Sequence, residues 1–314
     1  MRTAFFRTLL DLAAADSRVS LVVGDLGFGG VEPFAEKFPD RFVNAGVAEQ
    51  SMTGIAAGMA LTGKIVFTYS IANFPTIRCL EQIRNDVCYH AIDVKIVAVG
   101  SGFAYGALGM THHATEDLAL MRALPGMVVV APGDPIEVER ATRAIVEHRG
   151  PCYLRLGRVG EPRLHDERVP FELGRAIEVR AGRRMTIIAT GSMLATAVAV
   201  ADRLGRDGID TRVLSMHTIK PLDTDAVIAA ARETRAIVTL EEHSVIGGLG
   251  GALAEVVAEA AFDPAKRFKR IGIPDVFPHG YGSQATMMAQ CGITAERTMI
   301  VVRELLATRP ARTS

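Results

Sequence analysis

The chain lacks an excess of charge of either sign and lacks paired cysteines. In 314 residues, 35 Lys and Arg balance 35 Asp and Glu, so the composition provides no basic face for nucleic acid or an anionic membrane. The four cysteines, Cys79, Cys88, Cys152 and Cys291, form no Cys-x-x-Cys pair and show no regular spacing. This pattern argues against a disulfide framework or a zinc site and fits a reducing compartment.

Long apolar runs are also missing. The most apolar helical stretch, residues 55–61, is far shorter than the ~20 residues needed to span a bilayer. The N-terminus has Arg2, Arg7 and Asp11 in a short amphipathic stretch, without the apolar core and small-residue cleavage site of a signal peptide. The sequence therefore predicts a soluble, cytoplasmic protein with no nucleic-acid or membrane partner.

What is present is an alternation of short β-branched runs with amphipathic stretches, which is typical of βαβ units around a parallel sheet. Pro, Gly and charged residues interrupt this pattern at residues 159–174, and a second α/β series follows. The predicted fold class is α/β, with two three-layer parallel-sheet domains at residues 1–160 and 175–314 joined by a linker at 161–174. The predicted strands are 20–24, 65–68, 95–100, 127–131 and 152–156 in the first domain, and 185–189, 211–215 and 236–240 in the second.

Glu49 is the first candidate for chemistry. It precedes a helix rich in Gly and Ala, residues 54–60, whose small side chains allow another backbone to approach closely. One interpretation is a carboxylate that complements the start of a helix. The other is a buried carboxylate whose pKa is raised to a value suited to proton transfer.

Further candidates follow other predicted strands. Phe74 suits either the core or a platform on which a flat ring could stack. A glycine-rich loop after the strand at 95–100 carries His112 and His113, which could donate hydrogen bonds to a substrate. Metal binding there is the weaker interpretation, because no third ligand stands at a recognised spacing. The run of glycines at 247–251 suits close packing of a helix better than a phosphate-binding turn.

Five segments of the first part occur in the order Asp25-Leu26, Gly46-Val-Ala-Glu49-Gln50, Glu81-Gln-Ile-Arg84-Asn85, Thr111-His112 and Tyr153-Leu-Arg-Leu-Gly-Arg158. The second part carries Thr190-Gly-Ser, Glu241-Glu242 and Gly272-Ile-Pro-Asp275. In this order the five segments resemble the pyrimidine domain of transketolases, and the rest of the chain is similar to their C-terminal domain.

The resemblance implies thiamine diphosphate as cofactor and gives several residues a role. Glu49 would hydrogen-bond N1′ of the aminopyrimidine ring and act as a catalytic residue together with His112, which would contact the donor sugar. The resemblance places the other cofactor-binding positions at Phe74, Asp25, Leu26, Ile71 and Ile77. It places the substrate-binding positions at Arg2, His112, His113 and Arg158, where the two arginines match phosphate ligands.

The chain also departs from the family pattern. Leu108 stands where sugar transketolases usually carry an Asp that recognises a hydroxyl group, and Gly100 and Gly29 stand where a His and a Ser help to hold the sugar phosphate. Ile71 and Ile77 stand where flanking aromatic residues are common. These departures predict an unusual substrate or altered stereochemical choice.

The Gly-Asp-Gly motif of whole transketolases is absent from the sequence. We therefore expect no metal ligands in this chain. The resemblance implies that an N-terminal subunit with that motif holds Mg²⁺ or Ca²⁺ and the diphosphate. The expected assembly is an α2β2 heterotetramer, active only with both subunits, that transfers a two-carbon ketol unit from a ketose, phosphorylated or otherwise anionic, to an aldose.

Three alternatives stay open. The β subunit of the E1 component of a 2-oxo acid or acetoin dehydrogenase shares these two domains and the catalytic carboxylate. Deoxyxylulose-phosphate synthase ranks lower, because it normally keeps all its domains in one chain. The third alternative is a non-catalytic regulatory homologue, against which Glu49 and His112 weigh.

Overall fold

The chain forms two α/β units, each built on a mainly parallel sheet, in a computed structural model that describes residues 1–158 and 160–307. The predicted fold class is confirmed. The first sheet has seven strands in the order β10-β5-β6-β4-β3-β1-β2, and the second has five in the order β12-β11-β8-β9-β7. The strands are β1 Val19–Val23, β2 Phe42–Asn44, β3 Ile65–Ile71, β4 Val94–Val99, β5 Val128–Val130, β6 Cys152–Leu156, β7 Ile177–Arg180, β8 Met185–Ala189, β9 Thr211–Ser215, β10 Thr218–Lys220, β11 Ala236–Ser244 and β12 Arg267–Ile273.

Helices lie between the strands. Helix α4 continues directly into a π-helical segment, Ile83–Cys88, and short 3₁₀ turns occur at Pro39–Arg41, Ile77–Cys79, Gly106–Leu108 and Met110–His112. The α-helices are α1 Arg2–Ala15, α2 Glu32–Lys37, α3 Glu49–Leu61, α4 Leu80–Gln82, α5 Asp117–Ala123, α6 Pro135–Glu147, α7 Met193–Arg206, α8 Thr224–Glu233, α9 Leu249–Glu259, α10 Gln284–Gln290 and α11 Ala295–Ala307.

Both faces of the first sheet are buried, which explains why its strands are nearly continuous apolar runs. Alternate residues face opposite sides: Leu21 and Phe67 pack with α1 and α6, whereas Val22, Val66 and Ile96 pack with α3. The sheet therefore forms the middle layer of three.

The second half of the chain completes the first sheet. Strand β10 pairs antiparallel with β5, at the edge of a sheet whose other strands are parallel. The buried cluster on the α3 face of this sheet also contains Ile188, Ile237 and Leu253 from the second unit. The two units thus share one continuous apolar core.

Buried polar groups also join the two units. Arg155 on β6 is buried and pairs with Asp117, with Nε donating to Oδ2 at 2.7 Å, and it donates to the carbonyl of Glu242 on β11 at 3.0 Å. The carboxylate of Glu242 in turn accepts from the backbone N–H of Phe103 at 2.7 Å and from the hydroxyl of Ser192 at 2.8 Å.

Asp134 connects the predicted linker to the first unit. One of its carboxylate oxygens caps α6 by accepting from the backbone N–H of Glu137 at 2.7 Å. The other accepts from the backbone N–H groups of Leu164 at 2.8 Å and His165 at 3.0 Å. The Gly-Asp-Pro sequence at 133–135 therefore anchors the chain between the two sheets.

Three glycines of the run at 247–251 pack closely, as the sequence predicts: Gly247, Gly248 and Gly250. The carboxylate of Glu241 accepts from the backbone N–H groups of Leu249 at 2.7 Å and Gly250 at 2.8 Å. It therefore uses the N–H groups at the start of α9 that a phosphate-binding turn would offer to a phosphate. Burial raises the pKa of this carboxyl group to about 7. A side chain at Gly248 or Gly250 would collide with it.

No helix within residues 1–158 and 160–307 combines the length and apolar character that crossing a bilayer requires.

Candidate active site at the carboxyl edge of the first sheet

The predicted site residues, apart from Arg2 on α1, follow the carboxyl ends of five parallel strands of the first sheet. This is the edge at which open parallel sheets collect ligands. Strands β6, β4, β3, β1 and β2 are adjacent in that order, so their loops lie side by side. These loops carry, in the same order, Arg158, His112, Phe74, Asp25 and Glu49.

Glu49 is the first residue of α3, and its side chain is only 1% exposed. Its carboxylate oxygen Oε1 accepts a hydrogen bond from the hydroxyl of Ser70 at 3.3 Å, and Oε2 accepts one from Arg78 Nη1 at 2.6 Å. Gly24, at the end of β1, leaves room for this side chain, since a Cβ there would lie 3.2 Å from Glu49 Cγ. The carboxylate points into the protein at the start of α3 and pairs with a single cation.

Phe74 lies beside this carboxylate. The guanidinium carbon of Arg78 is 4.4 Å from the centre of its ring, and the ring of His112 meets it edge to face at 5.2 Å between centres. Arg78 therefore stacks on Phe74 and binds Glu49 at the same time. The site therefore suits a flat group that stacks on Phe74 and donates a hydrogen bond from its edge to Glu49.

The two histidines of the glycine-rich loop have different surroundings. His113 is buried against Phe103, with ring centres 5.1 Å apart, and its Nε2 lies 3.4 Å from the carbonyl oxygen of Gly106. His112 is half-buried, and its Nδ1 lies 3.0 Å from the hydroxyl of Thr111. Burial and the neighbouring His113 lower the pKa of His112, so its ring is neutral at pH 7.

The remaining predicted cofactor positions line the same edge. Asp25 has a positive φ of 54° and is held there by Asn44, whose amide donates to Asp25 Oδ1 at 2.9 Å. Leu26 and Ile71 are half-buried, and Ile71 packs against the cluster shared by α1 and α6. Ile77 is more exposed, at 44%.

The two predicted anion-binding arginines lie in different surroundings. Arg2 is turned toward the loop after β1, where it donates to the carbonyl of Gly27 at 2.7 Å and to that of Phe28. Arg158 is exposed and lies over the ring of Tyr105, with 5.2 Å between its guanidinium carbon and the ring centre. Arg158 and Tyr105 border a cleft of about 540 Å³ whose other lining residues include Leu108, Glu161, Ser192 and Gln284. Arg2 is not among the residues that line this cleft.

Arg78 and Tyr105 are neighbours of the predicted residues that the sequence analysis does not single out. Arg78 follows Phe74 by four residues, a spacing that brings two side chains together in any helical turn. Tyr105 is the one ring in the loop besides Phe103 and the histidines. The spacing of Arg78 from Phe74 and the aromatic residue at position 105 are both visible in the sequence. The loop conformations that bring these side chains to the site cannot be read from any sequence pattern.

Residues 1–160 match the family described as "Transketolase, pyrimidine binding domain", and residues 174–297 match "Transketolase, C-terminal domain". The chain belongs to the transketolase family. Among the residues that the structure describes, no group of three His, Cys, Asp or Glu side chains could hold a metal ion.

Transketolase relatives resemble the chain over most of its length. It is 42% identical to a "Putative transketolase C-terminal section" of Methanocaldococcus jannaschii over 280 residues, which are 88% of this chain and 87% of the relative. It is 38% identical to the "6-deoxy-6-sulfo-D-fructose transketolase subunit SqwH" of a Clostridium species, over 97% and 94% of the two chains. A solved structure titled "Split gene transketolase, inactive beta4 tetramer" superposes with a TM-score of 0.89 at 38% identity and 98% coverage of both chains.

Proposed function

We propose that this chain is the pyrimidine and C-terminal subunit of a split transketolase, which transfers a two-carbon ketol unit from an anionic ketose to an aldose. The observation that carries the proposal is the buried carboxylate of Glu49 beside the ring of Phe74 at the carboxyl edge of the sheet. Family membership supports it, as do relatives that are named as transketolase sections or subunits.

The residues present fit the aminopyrimidine end of thiamine diphosphate. A half-buried ring offers a stacking face, and a buried carboxylate beside it accepts hydrogen bonds from a flat cationic group. When bound, this cofactor supplies a carbanion equivalent that attacks the carbonyl group of the donor. The residues that would hold it in this chain are Glu49, Phe74, Asp25, Leu26, Ile71 and Ile77.

In this proposal Glu49 would hold or release a proton at the ring nitrogen of the bound aminopyrimidine. Its 1% exposure keeps water from the carboxylate, and Ser70 fixes the orientation of the group by donating to Oε1. Phe74 orients the ring plane. His112, neutral at pH 7, is suited to donating or accepting one hydrogen bond at a donor hydroxyl, with Thr111 fixing its orientation.

The proposed donor is a ketose with an anionic group. Arg158 offers an exposed guanidinium in the cleft, and His113 lies against the carbonyl of Gly106 in the loop that borders it. Arg2, the other arginine assigned to an anion, contacts the loop after β1 through the carbonyl of Gly27. The name of the Clostridium relative specifies a sulfonated ketose, which is anionic. Because Leu108 provides no polar partner for a donor hydroxyl group, we expect common pentose phosphates to be poor donors.

A second subunit is part of the proposal. Five large apolar residues on the loops of the carboxyl edge are between 44% and 77% exposed, and such a cluster is typical of a surface that a partner covers. They are Phe28, Val47, Ile77, Leu108 and Met110. The proposed partner is an N-terminal transketolase subunit with the Gly-Asp-Gly motif, which would bind Mg²⁺ or Ca²⁺ and the diphosphate in a cytoplasmic α2β2 heterotetramer.

The test is a reconstitution. The purified chain alone should bind thiamine diphosphate weakly and transfer no ketol unit, and mixing it with its N-terminal subunit should restore both. In the mixture, Glu49→Gln should assemble normally and lower the transfer rate by ~10² to 10⁴, as expected for loss of a positioned acid-base group. Robust transfer by the single chain, or full activity of assembled Glu49→Gln, would contradict the proposal.

A further inference from the structure

Tyr105 fills the space in front of Gly100. Gly100 follows β4 with a φ of +92°, and a Cβ placed on it would lie 2.1 Å from Cε2 and 2.4 Å from Cδ2 of the Tyr105 ring. Those distances are far below van der Waals contact, so any side chain at position 100 would have to displace the ring. The tyrosine ring thus occupies the volume that the resemblance would give to a histidine side chain.

The same ring stands between the two ends of the proposed donor site. Its centre is 6.5 Å from the ring centre of His112 and 5.2 Å from the guanidinium carbon of Arg158. It is half-buried and lines the cleft of about 540 Å³ together with Leu108 and Arg158. Glu161 provides the carboxylate in that lining, and it is paired with the N-terminal amine of Met1 at 2.9 Å.

We propose that Tyr105 is a specificity-determining residue that, with Arg158, selects ketose donors carrying a terminal oxoanion, phosphate or sulfonate. The inference rests on the proposed function and adds to it the residue that replaces the missing imidazole. The tyrosine hydroxyl donates one hydrogen bond to an anionic oxygen, and the stacked guanidinium offers the planar fork that oxoanions favour. Neutral ketoses gain neither contact.

A matched set of six-carbon ketoses tests the proposal in the assembled enzyme: fructose, fructose 6-phosphate and 6-deoxy-6-sulfofructose differ only at the terminal group. Tyr105→Phe keeps the ring in front of Gly100 and removes the hydroxyl. It should lower kcat/KM for the charged donors by about tenfold or more relative to fructose, as for loss of a hydrogen bond to a charged group. The control is Tyr89→Phe, at an exposed tyrosine outside the site, which should leave all three values unchanged.

Two further variants test the ring and the guanidinium separately. Tyr105→Ala removes both the ring and its hydroxyl group and should lose the preference for charged donors. Arg158→Gln should lose that preference as well. If Tyr105→Phe keeps that preference while Arg158→Gln loses it, the role assigned to Tyr105 is wrong and the transketolase proposal stands.

A binding measurement separates this inference from the activity. The chain contains five tyrosines and no tryptophan, so labelling with 3-fluorotyrosine gives few ¹⁹F resonances, and Tyr105→Phe identifies the one of Tyr105. Titration of the assembled protein with inorganic phosphate should shift that resonance in the wild type and not in Arg158→Gln. A Tyr105 resonance that phosphate leaves unmoved would overturn the inference, even if ketol transfer is established.

Discussion

Glu49 and Arg78 form an ion pair of very unequal exposure. The carboxylate is 1% exposed, whereas the arginine side chain is 45% exposed and reaches inward from the 3₁₀ turn Ile77–Cys79. Arg78 also covers the ring of Phe74, so it uses both groups that the proposed cofactor would need. An aminopyrimidine ring that binds Glu49 and stacks on Phe74 therefore competes with Arg78.

This competition can be measured through Arg78→Gln. Removing the cation should lower the dissociation constant of thiamine diphosphate in the assembled protein by roughly two- to fivefold, because a half-exposed pair is worth little after solvent screening. Isothermal titration calorimetry measures that constant without turnover. Arg84→Gln, at an exposed arginine beside Asn85, is the control and should change nothing. Weaker binding by Arg78→Gln would mean that Arg78 steadies Glu49 instead of competing for it.

At the scale of the element, helix α9 begins against a buried carboxylate. Glu241 accepts from the N–H groups of Leu249 and Gly250, so β11 and the first turn of α9 approach more closely than side chains with a Cβ would allow. A Cβ at Gly250 would lie 2.8 Å from Thr239 Oγ1 and 2.9 Å from Glu241 Oε1, whereas one at Gly251 meets nothing within 4 Å. Neighbouring glycines in the same turn thus have different reasons to be there.

Two alanine variants separate those reasons. Gly250→Ala should lower the free energy of unfolding by about 1–3 kcal/mol, because the methyl group overpacks the contact between α9 and β11. Gly251→Ala should raise it by about 0.5–1 kcal/mol, because alanine is the better helix former and has open space. Urea titration of both variants gives the comparison, and equal effects would show that helix propensity alone governs this turn.

The elements that the sequence predicts are those with long, doubly buried strands. The predicted strands at 152–156, 185–189 and 211–215 coincide with β6, β8 and β9, whose short, mostly apolar sequences are buried along nearly their whole length. The four edge strands β2, β7, β10 and β12 were missed. The first three have only three or four residues, and β12 is partly exposed, so none of them is a buried apolar run. The rule for parallel sheets gathers Glu49, Phe74 and His112 at one edge, but the positions of Arg78 and Tyr105 depend on loop conformations that no periodicity encodes.

At the scale of the whole molecule, His243 is a buried base between the two units. Its Nδ1 is 2.8 Å from the carbonyl of Ser244 and its Nε2 accepts from the N–H of Ala119 at 3.3 Å, an arrangement that fits the neutral ring. Burial lowers its pKa to about 4. The unfolded chain, with an ordinary histidine pKa of about 6.5, therefore binds more protons than the folded chain between those two values.

Because the unfolded chain binds the proton more tightly at His243, lowering the pH destabilises the fold. Relative to His243→Gln, the wild type should lose about 3 kcal/mol of unfolding free energy as the pH falls from 7 to 4, with most of the loss below pH 6.5. Using the difference between the two proteins removes the part of Glu241's opposite contribution that comes from burial, since burial raises the pKa of this carboxyl group in both. Chemical denaturation at a series of pH values measures it, and a difference that is independent of pH would contradict the assigned pKa.

Strand β10 affects how chains of this type can diverge. A recombination event that replaced everything after residue 174 with the equivalent from a distant relative would also replace the strand that closes the edge of the first sheet beside β5. It would exchange the carboxylate of Glu242, which accepts from the backbone N–H of Phe103, and the side chains that the second unit adds to the apolar cluster containing Val66 and Ile96. Substitutions on the two sides of the boundary between the units should therefore be inherited in pairs. Hybrids of distant relatives should fold only when the residues that contact each other across this boundary come from the same parent.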